Sequence, residues 1–141
     1  MFLFDTDHIS ILQRALSPEF SRLKARTARY QERDFFFSIV SFHEQALGWN
    51  AYISNTPDRA ALLRGYRGYE ELLSQYSGAE ILPYDQAALA IFESLRVQRV
   101  RIATFDLRIA ATALSRDLTL LSRNLADFRQ VPGLRVEDWI Q

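Results

Sequence analysis

The chain contains no cysteine, which excludes disulfides, zinc–thiolate sites, iron–sulfur clusters and thiol catalysis. Histidine is scarce too, because only His8 and His43 are present, and this argues against a structural zinc site. Lys24 is the only lysine among 17 basic residues, and 17 acidic residues balance them to a net charge of zero. A neutral chain is not built for bulk electrostatic capture of nucleic acid, although a local basic patch is compatible with this balance.

Long apolar runs are also missing. The apolar run at the N-terminus stops at Asp5, and no uncharged stretch approaches the roughly 18 residues that a membrane-spanning helix needs. We therefore expect a cytoplasmic protein that does not associate with a membrane. With 141 residues and 48% hydrophobic content, the chain is predicted to form a single domain over residues 1–141 with one packed core.

Short apolar stretches alternate with helical patterns along the whole chain. Proline directly after Ser17 and after Thr56 marks two helix starts, and Asp85 is predicted to cap a third. Strands alternating with helices indicate an α/β fold with a parallel sheet covered on both faces. The predicted strands are 2–4, 35–40, 79–84, 118–122 and 134–139, and the main predicted helices are 6–16, 17–31, 41–54, 56–76, 85–97 and 106–116.

Acidic residues follow several of the predicted strands. Asp5 follows the first strand, Glu44 lies one turn after the second, Asp106 opens a helix, and Asp127 follows the fourth strand. In open α/β sheets, ligands bind at the carboxyl ends of the strands. Each acid also has a structural explanation: Asp5, like its neighbour Asp7, suits a helix start, Asp106 suits an N-cap, and Glu44 completes a capping box with Ser41 as the N-cap.

If these carboxylates converge, like charges repel and raise one another's pKa. A small cation with a preference for oxygen ligands resolves that conflict. Mg²⁺ binds few carboxylates and keeps several waters, so positions stay open for phosphate oxygens and an attacking water. A carboxylate cluster without cysteine therefore favours magnesium or manganese over zinc, and no histidine is required as a base.

Four stretches together resemble a known family. "FLFDTDHIS" at the N-terminus, "IVSFHE" in the middle, "IATFDLRIAATAL" around Asp106 and "LLSRNLADFRQVPGLRVEDW" near the end are similar to PIN-domain ribonucleases of the VapC type, the toxins of type II toxin–antitoxin pairs. The matches occur in the family's order and span nearly the whole chain. The resemblance implies a PIN-like α/β fold with a central, mainly parallel sheet of four to five short strands flanked by helices.

The same resemblance implies an activity and its partners. The expected activity is that of a Mg²⁺-dependent endoribonuclease toxin, with Mn²⁺ as a substitute, that hydrolyses RNA phosphodiester bonds. A VapB-like antitoxin would neutralise it, and a homodimer and a toxin–antitoxin hetero-oligomer are implied. By the resemblance, Asp5 and Asp106 are the principal catalytic metal ligands, Glu44 is the third acid, Asp127 is a fourth that acts directly or through water, and Thr6 and Asn124 are supporting polar groups.

Two arginines near the acids in sequence, Arg108 and Arg123, are predicted to hold phosphates that flank the cleavage site. The alternative is that they belong to a solvated helix surface. The RNA is expected to be cut where it is single-stranded or looped, because unpaired nucleotides can be splayed out.

Two other functions compete with the nuclease. "FLFDTDH" is also similar to the first motif of haloacid-dehalogenase-type phosphatases, in which Asp5 would be the nucleophile. Against it, His8 replaces the usual glycine, and Lys24 is the only lysine available to neutralise a phosphoryl group. The second alternative is a non-catalytic module that binds a partner or joins a DNA-bound complex, in which the acids only cap helices.

Overall fold

A five-stranded, all-parallel sheet forms the centre of the protein in a computed structural model that describes all 141 residues. The strand order is β3-β2-β1-β4-β5, so the first strand lies in the middle. This confirms the predicted α/β class and sheet. The strands are β1 (Phe2–Phe4), β2 (Phe35–Ser38), β3 (Ile81–Leu82), β4 (Thr119–Leu121) and β5 (Val136–Glu137).

Both faces of the sheet are buried, each under its own hydrophobic core. Successive side chains of a strand point to opposite faces, so a single strand contributes to both cores. Leu3 and Leu120 belong to one hydrophobic core, together with buried residues of the helices at 86–97 and 104–115. Phe2, Phe4 and Leu121 belong to a second core on the other face. Because both faces are buried, the strands are continuous apolar runs, in which polar and apolar residues do not alternate.

Seven α-helices cover the sheet, and a short 3-10 turn precedes β2. Serine or aspartate side chains cap several of them, as at Ser17 and Asp85, which accept hydrogen bonds from the backbone N–H groups of Phe20 and Ala88. The helices are α1 (Thr6–Gln13), α2 (Pro18–Thr27), α3 (Ile39–Ser54), α4 (Arg59–Ser77), α5 (Gln86–Val97), α6 (Thr104–Ser115) and α7 (Leu125–Phe128).

Three predicted helix starts are wrong in position. The second strand ends at Ser38, whose side chain caps α3 by accepting a hydrogen bond from the Val40 N–H at 3.0 Å. The predicted cap, Ser41, is buried inside the helix and its hydroxyl has no partner. Asp58 rather than Thr56 caps α4, and α6 begins at Thr104, ahead of the predicted start at Asp106.

The order of the strands creates a crevice. The chain builds β1, β2 and β3 toward one side of the sheet and then returns to place β4 and β5 on the other side of β1. Such a reversal leaves a space at the carboxyl ends of the central strands, where ligands bind in open α/β sheets. Asp5 directly follows β1, and its N–H donates to the Leu121 carbonyl at 2.9 Å, which holds the ends of β1 and β4 together.

Candidate active site

Asp5 is the most buried acid of the crevice, with 5% of its surface exposed. Its Oδ1 accepts from the Thr6 N–H at 2.8 Å as the N-cap of α1, and its Oδ2 accepts from the Ser122 hydroxyl at 2.7 Å. Burial, together with the charges of Asp7 and Asp106, raises the pKa of Asp5 to about 7, although its two hydrogen bonds oppose this rise. A carboxylate in this setting is unusually easy to protonate.

Asp106 lies in the first turn of α6 and faces several other acids. Burial is the largest cause that raises its pKa to about 6, and the charges of Glu44, Asp127 and Asp7 follow in that order. These three acids come from the segments that follow β1, β2 and β4, so each of those segments contributes a charge that acts on the start of α6.

The helix-capping explanation fails for two of these acids. Glu44 lies in the second turn of α3 because that helix begins before Ser41, so it completes no capping box. Asp106 is not an N-cap either, since Ala103 occupies that position and contributes no side-chain hydrogen bond. Asp5, by contrast, does cap its helix. Glu44 thus has no role at a helix terminus, whereas Asp106 caps no helix but lies in the first turn of α6, where its charge complements the helix dipole.

Asp7 is a residue of this region whose importance the sequence did not reveal. Its carboxylate accepts from the backbone N–H of Arg123 at 2.9 Å and pairs with His8 Nδ1 at 2.7 Å, and Ser122 Oγ lies 3.2 Å away. Burial alone would raise the pKa of Asp7, but these hydrogen bonds outweigh burial and lower it. Two of the partners are more than a hundred positions away along the chain, so no local pattern could indicate them.

Ser122 links the two aspartates of the N-terminal motif. It is fully buried, and its hydroxyl contacts Asp5 and Asp7 while accepting from the Asn124 N–H at 3.0 Å. A hydroxyl has one proton to donate, and the shorter distance to Asp5 shows which carboxylate receives it. Ser122 therefore fixes the orientation of the Asp5 carboxylate from the end of β4.

The two predicted supporting residues lie at the site. Asn124 donates to the Asp127 carboxylate at 2.9 Å, and its side-chain oxygen accepts from the Asp127 N–H at the start of α7. Thr6 supplies the N–H that binds Asp5, but its own hydroxyl is buried without a hydrogen-bond partner. A buried hydroxyl without a partner is uncommon, and here it belongs to the residue next to Asp5.

His8 connects the site to the C-terminal end of the chain. It is fully buried, with Nδ1 against Asp7 and Nε2 accepting from the Trp139 N–H at 3.3 Å. A neutral ring with its proton on Nδ1 satisfies both contacts. His8 is therefore a structural connection between α1 and the residues after β5.

The two predicted phosphate-binding arginines differ in position. Arg108 lies half-buried beside the acids, with its guanidinium carbon 5.8 Å from the ring centre of Phe92 and 5.9 Å from that of Phe105. It lines a cleft that also contains Asp127. Arg123 is exposed, and it is its backbone rather than its side chain that contacts Asp7.

The donor set suits a hard divalent cation, because it consists of carboxylate oxygens and the free hydroxyl of Thr6. The structure contains no group of three histidine, aspartate or glutamate side chains arranged as a ready-made metal cluster. Mg²⁺ does not require one, because it commonly binds through one or two carboxylates plus waters. The raised pKa values of Asp5 and Asp106 indicate uncompensated negative charge that a cation would stabilise.

Comparison with known proteins identifies the class. The PIN domain family model matches residues 4–134. A VapC from Shigella flexneri, described as a tRNA(fMet)-specific endonuclease, is 37% identical over 106 residues, which cover 72% of this chain and 74% of that protein. The chain therefore belongs to the PIN-domain family as a VapC-type member, which confirms the predicted family and its enzyme class, the nucleases.

Two further relatives agree. The VapC of Salmonella typhimurium, also described as a tRNA(fMet)-specific endonuclease, is 37% identical over 67 residues, which are 45% of this chain and about half (51%) of that protein. A DNA-bound VapBC complex from the same species has a chain that superposes with a TM-score of 0.70 at 25% identity, covering 98% of this chain and 97% of that chain.

This membership goes against the alternative of a haloacid-dehalogenase-type phosphatase. The structure agrees, because Lys24, the lysine that such chemistry would need, lies on α2 with its ammonium 5.5 Å from the ring centre of Phe20. None of the helices has the length and apolar character that a bilayer crossing requires.

Proposed function

We propose that the protein is a Mg²⁺-dependent endoribonuclease toxin that hydrolyses phosphodiester bonds of RNA. The proposal is supported by the acids that follow the parallel strands and act electrostatically on Asp106, whose pKa is raised by burial and then by Glu44, Asp127 and Asp7. Neither Glu44 nor Asp106 caps a helix, so their repulsion serves no structural purpose. Membership of the VapC-type PIN domains supports the choice of nuclease.

Asp5 and Asp106 are the proposed principal ligands of the metal, with Glu44 as the third acid and Asp127 as the fourth, which acts directly or through water. When bound, Mg²⁺ supplies an acidified water as nucleophile and neutralises charge on the phosphate oxygens. The residues around the acids orient them: Ser122 and the Thr6 N–H hold the Asp5 carboxylate, and Asn124 holds that of Asp127. Mn²⁺ is proposed to substitute.

The proposed substrate is RNA that is single-stranded or looped, because unpaired nucleotides can be splayed out and so bring their backbone to the partly buried acids. Initiator tRNA is the first RNA to test, since the Shigella relative is named for tRNA(fMet). Such a substrate also makes the cytoplasm the proposed place of action.

The proposed partner is a VapB-like antitoxin, with a homodimer of the toxin inside the complex. The support is the likeness at 25% identity to a chain of the Salmonella VapBC complex. Co-expression with a neighbouring small open reading frame, followed by measurement of the mass of the purified complex, tests this. A toxin that elutes as a monomer and binds no such peptide would contradict it.

Asp106→Asn is the experiment that tests the nuclease. This substitution keeps the size of the side chain and removes its charge, so we expect RNA cleavage in Mg²⁺ to fall by about a hundredfold or more. Gel analysis of total RNA and tRNA, with Mg²⁺ and with EDTA, measures it. Asp117→Asn is the matched control, because Asp117 is exposed beyond the other end of α6 and asparagine tolerates its positive φ of 54°.

The remaining alternative is a non-catalytic module of a DNA-bound complex, and the DNA in the Salmonella VapBC structure is the observation that keeps it open. If this alternative is right, neither wild type nor Asp106→Asn will cleave RNA, and the substitution will leave binding to the partner and to DNA intact. Loss of toxicity on Asp5→Asn with partner binding retained would argue for the nuclease.

A further inference from the structure

A cleft of about 670 Å³ lies beside the acids, between the end of α5, the start of α6 and Asp127. Its floor is apolar and includes Phe92 and Ile102. Its other side chains of note are three arginines, Arg96, Arg101 and Arg108, two of which the sequence did not single out. In a chain with no net charge, three guanidinium groups in one cleft are a strong local concentration of positive charge.

None of these arginines is neutralised by an acid. The only ion pairs within 4.0 Å that involve arginine are Arg116 with Asp85 and Arg135 with Asp117, both elsewhere. Arg96 and Arg101 also make no hydrogen bond to another residue, and both are exposed. Their N–H groups are therefore available to an external anion, and the guanidinium fork matches a phosphate with two parallel hydrogen bonds.

Phe92 positions two of the three cations. The guanidinium carbons of Arg96 and Arg108 lie 5.9 and 5.8 Å from the centre of its ring. Cation–π contact uses the face of a guanidinium and leaves its N–H edge free. Because Arg96 and Arg108 share the Phe92 ring, their two positive charges are held near each other with no anion between them. A bound phosphate would be such an anion and would offset their repulsion.

The cleft adjoins one acid of the site, because Asp127 lines it. The charge of Asp127 in turn acts on Asp106. A nucleic acid strand is continuous and carries one phosphate per nucleotide, so a strand held with one phosphate at the acids must extend to either side. The arginine cleft is the adjacent space that offers cations to the next phosphate and an apolar floor to its base.

We propose that the arginine cleft binds the nucleotide next to the scissile phosphate of a single-stranded RNA segment, with Arg96 and Arg101 holding its phosphate and Arg108 bordering the acids. This subsite rests on the proposed nuclease function and adds Arg96 and Arg101 to it. It accounts for how a chain with no net charge holds a polyanion beside a cluster of carboxylates.

A double variant, Arg96→Gln with Arg101→Gln, tests the subsite. Binding of fluorescent oligouridine is measured by anisotropy in Mg²⁺ on the Asp106→Asn background, so that the strand stays intact. We expect Kd to rise about tenfold or more, and the slope of log K against log salt to fall in magnitude by about 0.7, because the contact with one phosphate of a single strand is lost. Arg59→Gln with Arg67→Gln is the control, since both residues are exposed on α4 and outside the cleft.

The cleft variant and its control are then compared in RNA cleavage with Asp106 intact. This comparison separates an effect on RNA binding from an effect on the chemical step. We expect the cleft variant to raise KM for RNA about tenfold with kcat within about twofold of wild type. Unchanged RNA binding by the cleft variant overturns the subsite and leaves the nuclease proposal standing. Binding that depends on the two arginines, in a protein that cuts no RNA, supports the subsite and overturns the nuclease instead.

Absence of RNA binding before the arginines are changed overturns both proposals. Unchanged RNA binding with loss of antitoxin binding also overturns the subsite, and it would show that the cleft serves an acidic segment of a protein partner.

Discussion

At the scale of single residues, the site shows how environment separates chemically identical side chains. Asp5 and Asp7 are two positions apart, yet the pKa of Asp5 is raised to about 7 and that of Asp7 is lowered. Burial outweighs the hydrogen bonds at Asp5, whereas His8, the Arg123 N–H and Ser122 outweigh burial at Asp7. Asp7 is thus a stable anion that anchors the β4–α7 connection, and Asp5 is the carboxylate that is easier to protonate.

Asp5→Asn is predicted to change how stability depends on pH in the metal-free protein. The pKa of Asp5 rises from 3.8 to about 7 on folding, so the folded state binds this proton more tightly, and the contribution to stability is lost as the pH rises from about 4 to 7. Asp5→Asn has no carboxyl group at this position, so its stability does not contain this pH-dependent contribution. We expect its unfolding free energy, relative to wild type, to increase between pH 4 and 8 by on the order of 4 kcal/mol.

Urea unfolding in EDTA at several pH values measures this difference. Asp117→Asn, an exposed aspartate outside the site, should run parallel to wild type at every pH. Parallel curves for Asp5→Asn and wild type would show that Asp5 has an ordinary pKa.

At the scale of secondary-structure elements, two glycines decide how closely α3 and α4 pack. A Cβ on Gly68 would lie 2.4 Å from Trp49 Cζ2, and a Cβ on Gly65 would lie 2.5 Å from Ile53 Cγ1. From the sequence alone, both glycines weaken the prediction of a helix at their positions. The structure shows that they permit a close helix–helix approach, which no pattern within α4 reveals because the partner side chains belong to α3.

Gly68→Ala is therefore predicted to destabilise the protein by about 1–3 kcal/mol, because overpacking against Trp49 exceeds the gain in helix propensity. Gly48→Ala is the matched change in α3, where nothing lies within 4 Å of the added Cβ, and it should stabilise by about 0.5–1 kcal/mol. Thermal or urea unfolding of the two variants measures both. Equal effects of the two substitutions would contradict the close packing of α3 on α4.

At the scale of the whole molecule, the parallel topology brings acids to one edge of the sheet. It thereby forms the candidate site and also introduces charge repulsion that destabilises the fold at that edge. Strand order places the ends of β1, β2 and β4 at one edge, and the acids carried there repel one another at Asp106. Stability and function are therefore expected to oppose each other at this edge, and a bound cation should relieve the conflict.

Mg²⁺ is accordingly predicted to raise the melting temperature by several degrees at pH 8 and by much less at pH 5, where Asp5 and Asp106 bind protons instead. Differential scanning calorimetry with MgCl₂, against NaCl of equal ionic strength, measures the shift. Asp106→Asn should abolish most of it and Asp117→Asn should not. An equal shift with NaCl would show general screening rather than a specific site.

Much of this protein was determined by its sequence alone. Apolar runs such as Phe2–Phe4, the caps at Ser17 and Asp85, and the alternation of strands with helices predicted an α/β fold with a parallel sheet, and the structure confirms it. These features are readable because their causes, hydrophobic burial and local hydrogen bonding, act over a few neighbouring residues. The positions of the acids after the strands predicted a shared site once a parallel sheet was assumed, because the carboxyl ends of parallel strands lie at one edge.

Only the tertiary structure decided which polar groups meet. Ser41 and Glu44 fit a capping box in sequence, yet the helix begins earlier, since Ser38 can cap it while the end of β2 stays paired with β3. Ser122 meets Asp5 across 117 positions of the chain, and Arg108 of α6 meets Phe92 of α5 because the two helices pack together. Contacts of this kind depend on how whole elements pack in space, so a one-dimensional pattern does not contain them.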